Sequence, residues 1–204
     1  MLPYNQRYVV WDTETTGLNH RFTKPWQISW LVFEGTKLIE TQDNFIDIPN
    51  LQLSETIKKL TNFSKEKYDR LKQPASKVWA SLKKEIERED TILVGQNLLN
   101  YDIFIINSLQ KDLGEKPIYS YMDRIYDTRA LGVAFQEKLE KPKSNFLSWQ
   151  YKIINDRSLK AKASQKHLLK ILQIPFEEHK LHEAVYDCQK CFEIFQGLKK
   201  AMKL

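Results

Sequence analysis

Three short β-rich segments come first in this chain, before any helical pattern: 7–12 (RYVVWD), 26–34 (WQISWLVFE) and 36–46 (TKLIETQDNFI), the last two joined near Gly35. Helical periodicity then takes over at 54–61, 64–72 and 75–88, and in the last of these Val78, Trp79, Leu82 and Ile86 recur at helical spacing. A short strand pattern at 91–94 (TILV) ends at Gly95, and Asn100 is positioned to cap a helix running to about residue 112. Residues 124–128 (RIYDT) read as a fifth strand, 145–173 as helical in pieces, and 183–200 as a final helix. Strands first, then helix alternating with strand, predicts an α/β domain: a central mixed five-stranded sheet flanked by helices. With no repeat and no Gly/Ser/Pro-rich linker, the 204 residues are expected to form one domain, 1–204.

Composition narrows the class. No stretch reaches the roughly 18 consecutive apolar residues that a spanning helix needs, so no membrane association is expected. The first residues, MLPYNQRYVVWD, lack a charged segment leading into a long apolar one; no secretory signal is read, and the expected location is cytoplasmic. A net charge of +6 favours a polyanionic partner without proving one. The charge is concentrated: 138–170 holds nine lysines and arginines against Glu140 and Asp156. A solvated surface explains such a run as readily as a binding face does. Cys188 and Cys191 form a C-x-x-C pair, but no second pair exists to complete a zinc site, and both fall on the apolar side of the last helix. They are expected to be buried, reduced core thiols.

Four carboxylates stand out by position. Asp12 and Glu14 lie two apart at a strand end, beside the Thr16-Gly17 turn, and such residues project to one face. Like charges buried together are costly unless a cation neutralises them, although an exposed acidic turn would also account for this pair. Asp102 falls in the first turn of its helix, where the dipole favours a carboxylate. It also lies three and four residues before Ile105 and Ile106, on the core-facing stripe. In the last helix Ala184, Cys188, Cys191, Phe192, Phe195 and Leu198 make one apolar face, with Asp187 on its flank. His182, about 140° away from Asp187 on a continuous helix, must sit in the preceding loop if it is to face the same point. Four acids at element ends plus one imidazole form an oxygen-rich set suited to Mg²⁺ or Mn²⁺ and to phosphoryl chemistry.

These residues resemble the DEDDh (DnaQ-like) 3′→5′ exonucleases of the RNase H-like superfamily. DTETTGL at 12–18 is similar to the family's first motif, NLLNYDIF at 97–104 to its second, and HEAVYD at 182–187 to its third. Gln27-Ile28, Asp127-Thr128 and the LLKILQI run add weaker likeness. The sister DEDDy pattern would need Tyr where this chain has Glu183; His179 does not fit the spacing. The resemblance covers about residues 7–198 and implies an RNase H-like fold and a set of roles. Asp12 would bridge two Mg²⁺ (or Mn²⁺) ions, Glu14 and Asp187 would complete the water-activating site, Asp102 would help hold the second ion, and His182 would be the general base. Thr15, Leu18 and Phe104 would touch the terminal nucleotide, Leu18 and Phe104 by packing against bases. The basic 138–163 segment is longer than in a minimal member. Lys141, Lys143, Lys160 and Lys162 are its candidate substrate contacts.

The expected reaction is hydrolysis of single-stranded DNA, or of frayed or mismatched 3′ ends, to nucleoside 5′-monophosphates. The motifs do not sense a 2′-hydroxyl, so an oligoribonuclease or RNase T-like exoribonuclease remains open; a non-catalytic nucleic-acid-binding or polymerase-accessory subunit is the other reading. The last helix runs to within a few residues of Leu204, leaving no polymerase-binding tail, so no obligatory protein partner is expected; the sequence is silent on oligomeric state.

Overall fold

The first strand, β1 (Arg7–Thr15), is apolar on both faces. Tyr8 and Val10 enter one core cluster and Val9 and Trp11 the other, so helices must cover both sides of it. The computed structural model describes residues 5–19 and 22–204; residues 1–4, on which part of the leader reading rests, lie outside them. β1 pairs antiparallel with β2 (Pro25–Glu34), which pairs antiparallel with β3 (Lys37–Phe45). Gly35 closes that hairpin at φ 59°, a conformation costly for a residue with a Cβ. The later strands β4 (Thr91–Gly95) and β5 (Ile125–Asp127) add in parallel on the other side of β1, giving the order β3-β2-β1-β4-β5. This is the mixed five-stranded sheet expected, and the fold is RNase H-like.

Two short helices, α1 (Glu55–Leu60) and α2 (Lys65–Leu71), each capped by a serine, pack beside the β3 edge, where Trp26, Phe45, Leu53 and Tyr68 form a small core. α3 (Ala75–Ile86) buries Val78, Trp79, Leu82 and Ile86, the stripe its spacing predicted. With α4 (Asp102–Asp112) it covers one face. The other face is closed by α5 (Thr128–Gln136), α7 (Gln165–Ile171) and α8 (Ala184–Met202), while α6 (Phe146–Asn155) reaches both clusters beside β5. All six residues assigned to the apolar face of the last helix are buried in α8. Cys188 and Cys191 are buried free thiols, as expected. No helix among the described residues is long and apolar enough to cross a membrane.

Three local readings need correction. Strand β1 continues three residues past Asp12, because pairing with β2 persists through Glu14 and, after a register shift, Thr15. Asn100 does not cap α4: it ends a 3-10 turn, Leu98–Asn100, and the helix N-cap is Tyr101, whose hydroxyl donates to Gly17 O. The 3-10 turn itself is held from far along the chain. The buried Asp127 carboxylate accepts the backbone N–H groups of Asn97 (3.1 Å) and Leu99 (3.0 Å). The same carboxylate caps α5 by accepting from Arg129 N (2.9 Å). Helix α5 carries no clear helical signal in the sequence. Its Gly132 hides the helical signal and is there for contact: a Cβ would meet Leu168 of α7 at 2.5 Å.

Candidate active site

Asp12 and Glu14 share the β1 face that carries Tyr8 and Val10, the face under α8. The β1–β2 register shift falls immediately after Glu14, and such irregularities re-aim side chains at strand ends. Thr13 points the other way, toward α4, and there it captures Asp102. The Asp102 carboxylate accepts from Thr13 N at 3.1 Å and from Thr13 Oγ1 at 2.6 Å. One strand end therefore gathers acids from both helical layers: its own two, and Asp102 from the opposite side, tied on by the residue between them. Asp187 comes from the first turn of α8 and accepts from Gln165 Nε2 (3.0 Å) and from the backbone N–H of His182 (2.9 Å). His182 lies outside the helix, in the loop before it, with φ 74°.

All five residues line one cleft of about 910 Å³, together with Leu18, Asn97, Tyr101, Arg129, Arg157, Lys162 and Gln165. The electrostatics are those of crowded, desolvated acids. Burial raises the Asp12 carboxyl to about 6. Burial, then the charges of Asp12, Asp187 and Asp102, push Glu14 to about 9. Burial followed by the Asp12 charge raises Asp187 to about 8 and holds Asp102 well above the carboxylate range. None of the ion pairs among the described residues involves any of the four. No three His, Cys, Asp or Glu among the described residues are drawn into a ready-made metal cage; the acids stand around the cleft and interact through space. An oxygen-only set with raised proton affinity and no lysine or arginine paired to it fits hard divalent cations, which would supply the missing positive charge. His182 is exposed at the rim, and desolvation holds its imidazole below the ordinary value. It is therefore neutral, and able to accept a proton, at neutral pH.

The remaining sequence candidates divide. Leu18, 87% exposed, lines the cleft; Phe104, 47% exposed on α4, is not among the lining residues. Thr15 is buried and turns its hydroxyl to Gly17 O (2.7 Å) and the Tyr101 hydroxyl (2.6 Å), so it braces the turn after β1. Of the four lysines, only Lys162 reaches the cleft lining. Lys141 lies over the Phe146 ring, 4.7 Å from its centroid, and Lys160 Nζ donates to Arg157 O. His179 borders a different cavity and sits 3.7 Å from Glu177. Sequence reasoning missed Thr13, Gln165, Tyr101 and Arg129. Thr13 was detectable, since it occupies the alternate β1 face between two acids; Gln165 carries no local signal.

Known proteins share this architecture. Crystallised E. coli exonuclease I in complex with a dA16 oligonucleotide superposes with a TM-score of 0.74 over 97% of this chain and 42% of that one, at 13% identity. Its zinc-bound form with single-stranded DNA gives 0.73, also at 13% identity, over 97% and 42% of the two chains. At the sequence level, the PolC-type DNA polymerase III of Ureaplasma parvum is 30% identical over 128 residues, 62% of this chain and 9% of that protein. The PolC-type enzyme of Pediococcus pentosaceus is 33% identical over 102 residues, 50% of this chain and 7% of its own length. The chain thus spans under a tenth of these polymerases and about two fifths of exonuclease I. Residues 9–195 match the family model described as exonuclease, of the RNase T type, and this chain, with its carboxylate-lined cleft, belongs to that exonuclease family.

Proposed function

We propose that this exonuclease degrades single-stranded DNA from the 3′ end, with Asp12, Glu14, Asp102 and Asp187 holding two Mg²⁺ or Mn²⁺ ions and His182 acting as general base. The observation that carries this reading is the convergence of four carboxylates, none of them ion-paired among the described residues, with a neutral imidazole on one cleft. When bound, such a pair of ions offsets charge on the entering and leaving oxygens of an in-line displacement. The protein's part is positioning and proton transfer. Thr13 fixes Asp102, and Gln165 with the His182 backbone fixes Asp187, so the acids keep their orientation. His182 takes the proton of the attacking water as its oxygen bonds to phosphorus; the P–O3′ bond breaks, the 3′-oxygen takes a proton from solvent and remains on the shortened strand as a hydroxyl, and a nucleoside 5′-monophosphate is released. Leu18 at the cleft edge offers an apolar surface to the terminal base. Arg129, Arg157 and Lys162 along the cleft wall would meet the backbone phosphates.

DNA is favoured over RNA because the sequence relatives are DNA polymerases and the similar solved structure holds a deoxyoligonucleotide. A single strand is favoured because a base must be unstacked to reach Leu18, and unpairing a duplex end adds a few kcal/mol. The test is digestion of 3′-free, 3′-blocked and circular single strands, with matched DNA and RNA oligonucleotides and a blunt duplex, in Mg²⁺ and in chelator, without added proteins. The expected result is metal-dependent mononucleotide release from free 3′ ends of single-stranded DNA. Cleavage of the circle, or faster digestion of RNA, would overturn the substrate assignment.

A further inference from the structure

The loop that carries His182 is packed on one side only: Leu181 rests against the main core cluster, while the side toward α1 is open. Between α1 and residues 178–182 lies an open cavity of about 650 Å³, lined by Thr56, Lys59 and Leu60 on one side and His179, Leu181 and His182 on the other. Side chains therefore do not clamp the loop against α1 there. The link across is polar. Asn62, in the turn between α1 and α2, donates from its side-chain amide to His179 O (3.3 Å) and to Glu183 Oε1 (3.0 Å). The two bonds straddle His182, three residues after one anchor and one before the other. On its far side the His182 backbone N–H is tied to Asp187 at 2.9 Å, and its φ of 74° is one that few side-chain-bearing residues adopt. A residue held in that conformation needs its neighbours fixed on both sides. Asn62 itself sits at φ 49°, where asparagine is tolerated better than most residues, so its amide is presented by a turn suited to it.

We propose that Asn62 is a positioning residue for the general base: its amide holds the 179–183 loop so that the His182 imidazole faces the carboxylate cleft. The inference rests on the role of His182 given above. A substitution at Asn62 should act through the imidazole and not through the fold. Asn62→Asp keeps the turn and the side-chain shape but sets a carboxylate against the His179 carbonyl and the Glu183 carboxylate. Asn62→Gly keeps the backbone conformation and removes the amide. Each should lower kcat on single-stranded DNA by about five- to tenfold, as the loss of a modest hydrogen-bonded restraint would, with KM nearly unchanged. In a His182→Ala background the same substitutions should change kcat less than twofold.

The experiment is this double-mutant cycle in saturating Mg²⁺, with circular dichroism melts of every variant. Equal losses in both backgrounds, or no loss in the wild-type background, would overturn the inference while leaving the general-base assignment intact. A fully active His182→Ala would overturn both. If Asn62→Asp lowers the melting temperature, Asn62→Gly decides: retention of full activity in that variant refutes the positioning role.

Discussion

Glu14 should destabilise the metal-free protein, and replacing it with glutamine should raise stability while removing activity. The carboxyl is pushed up to about 9, first by burial and then by Asp12, Asp187 and Asp102. In the unfolded chain it ionises near 4.5. Below that pH both states hold the proton and the substitution has no electrostatic consequence. Between about 4.5 and 9 folding must take up a proton, so wild-type stability falls as pH rises through that window. At pH 8 the full penalty, at about 1.4 kcal/mol per pH unit, would be roughly 5 kcal/mol. Sharing of protons among the coupled acids, and solvent in the open cleft, reduce it to an order of 2 kcal/mol. For a domain of this size that is roughly 4–8 °C in melting temperature. The assay is a thermal melt of wild type and Glu14→Gln in chelator at pH 5 and pH 8. The variant should melt higher at pH 8, and the gap should close at pH 5. Added Mg²⁺ or Mn²⁺ should stabilise wild type at pH 8 and narrow the gap, because the cation supplies the charge that the variant no longer needs. A gap that is the same at both pH values, or a variant that melts lower at pH 8, would refute the reasoning.

Other outcomes follow from single contacts. His182→Ala should lower turnover by about 10²–10⁴-fold, whereas His179→Ala, in a different cavity, should stay within about twofold; steady-state digestion of a labelled oligonucleotide compares them, and the reverse ranking would reassign the base. Reversing Arg157 and Lys162 to Glu should flatten the salt dependence of single-strand binding by a slope of roughly 1.4 for two lost phosphate contacts; the same reversal of Lys141 and Lys143, outside the cleft lining, should leave the slope unchanged. Asp127→Ala should cost about 2–4 kcal/mol in chemical denaturation even with metal saturating, since the buried backbone N–H of Leu99 and the part-buried ones of Asn97 and Arg129 lose their acceptor; a neutral variant would mean that solvent replaces it.

Much of the architecture follows from local pattern. The runs that became β1 and β2 are continuous β-rich apolar stretches, and the stripe Val78, Trp79, Leu82 and Ile86 and the apolar face of α8 are set by side-chain period; both signals depend only on near neighbours. The five candidate residues stand out by motif spacing, and all five line one cleft. Tertiary structure decided what local pattern could not carry. β1 runs on to Thr15 because β2 offers it partners, and the Leu98–Asn100 turn is held by a carboxylate some thirty residues away, which no cap preference at Asn100 could reveal. α5 is faint in the sequence because Gly132 serves contact with α7 and lowers the local helix signal. The basic run at 138–170 has a composition but no direction, so only the packing of α6, α7 and the segment between them turned Arg157 and Lys162 toward the cleft and laid Lys141 on an aromatic ring. The sequence by itself determined which acids could meet, because strand and helix ends are written in near-neighbour chemistry. The folded chain decided how they are held, through Thr13 and Gln165, because those bonds join segments 22 to 89 residues apart.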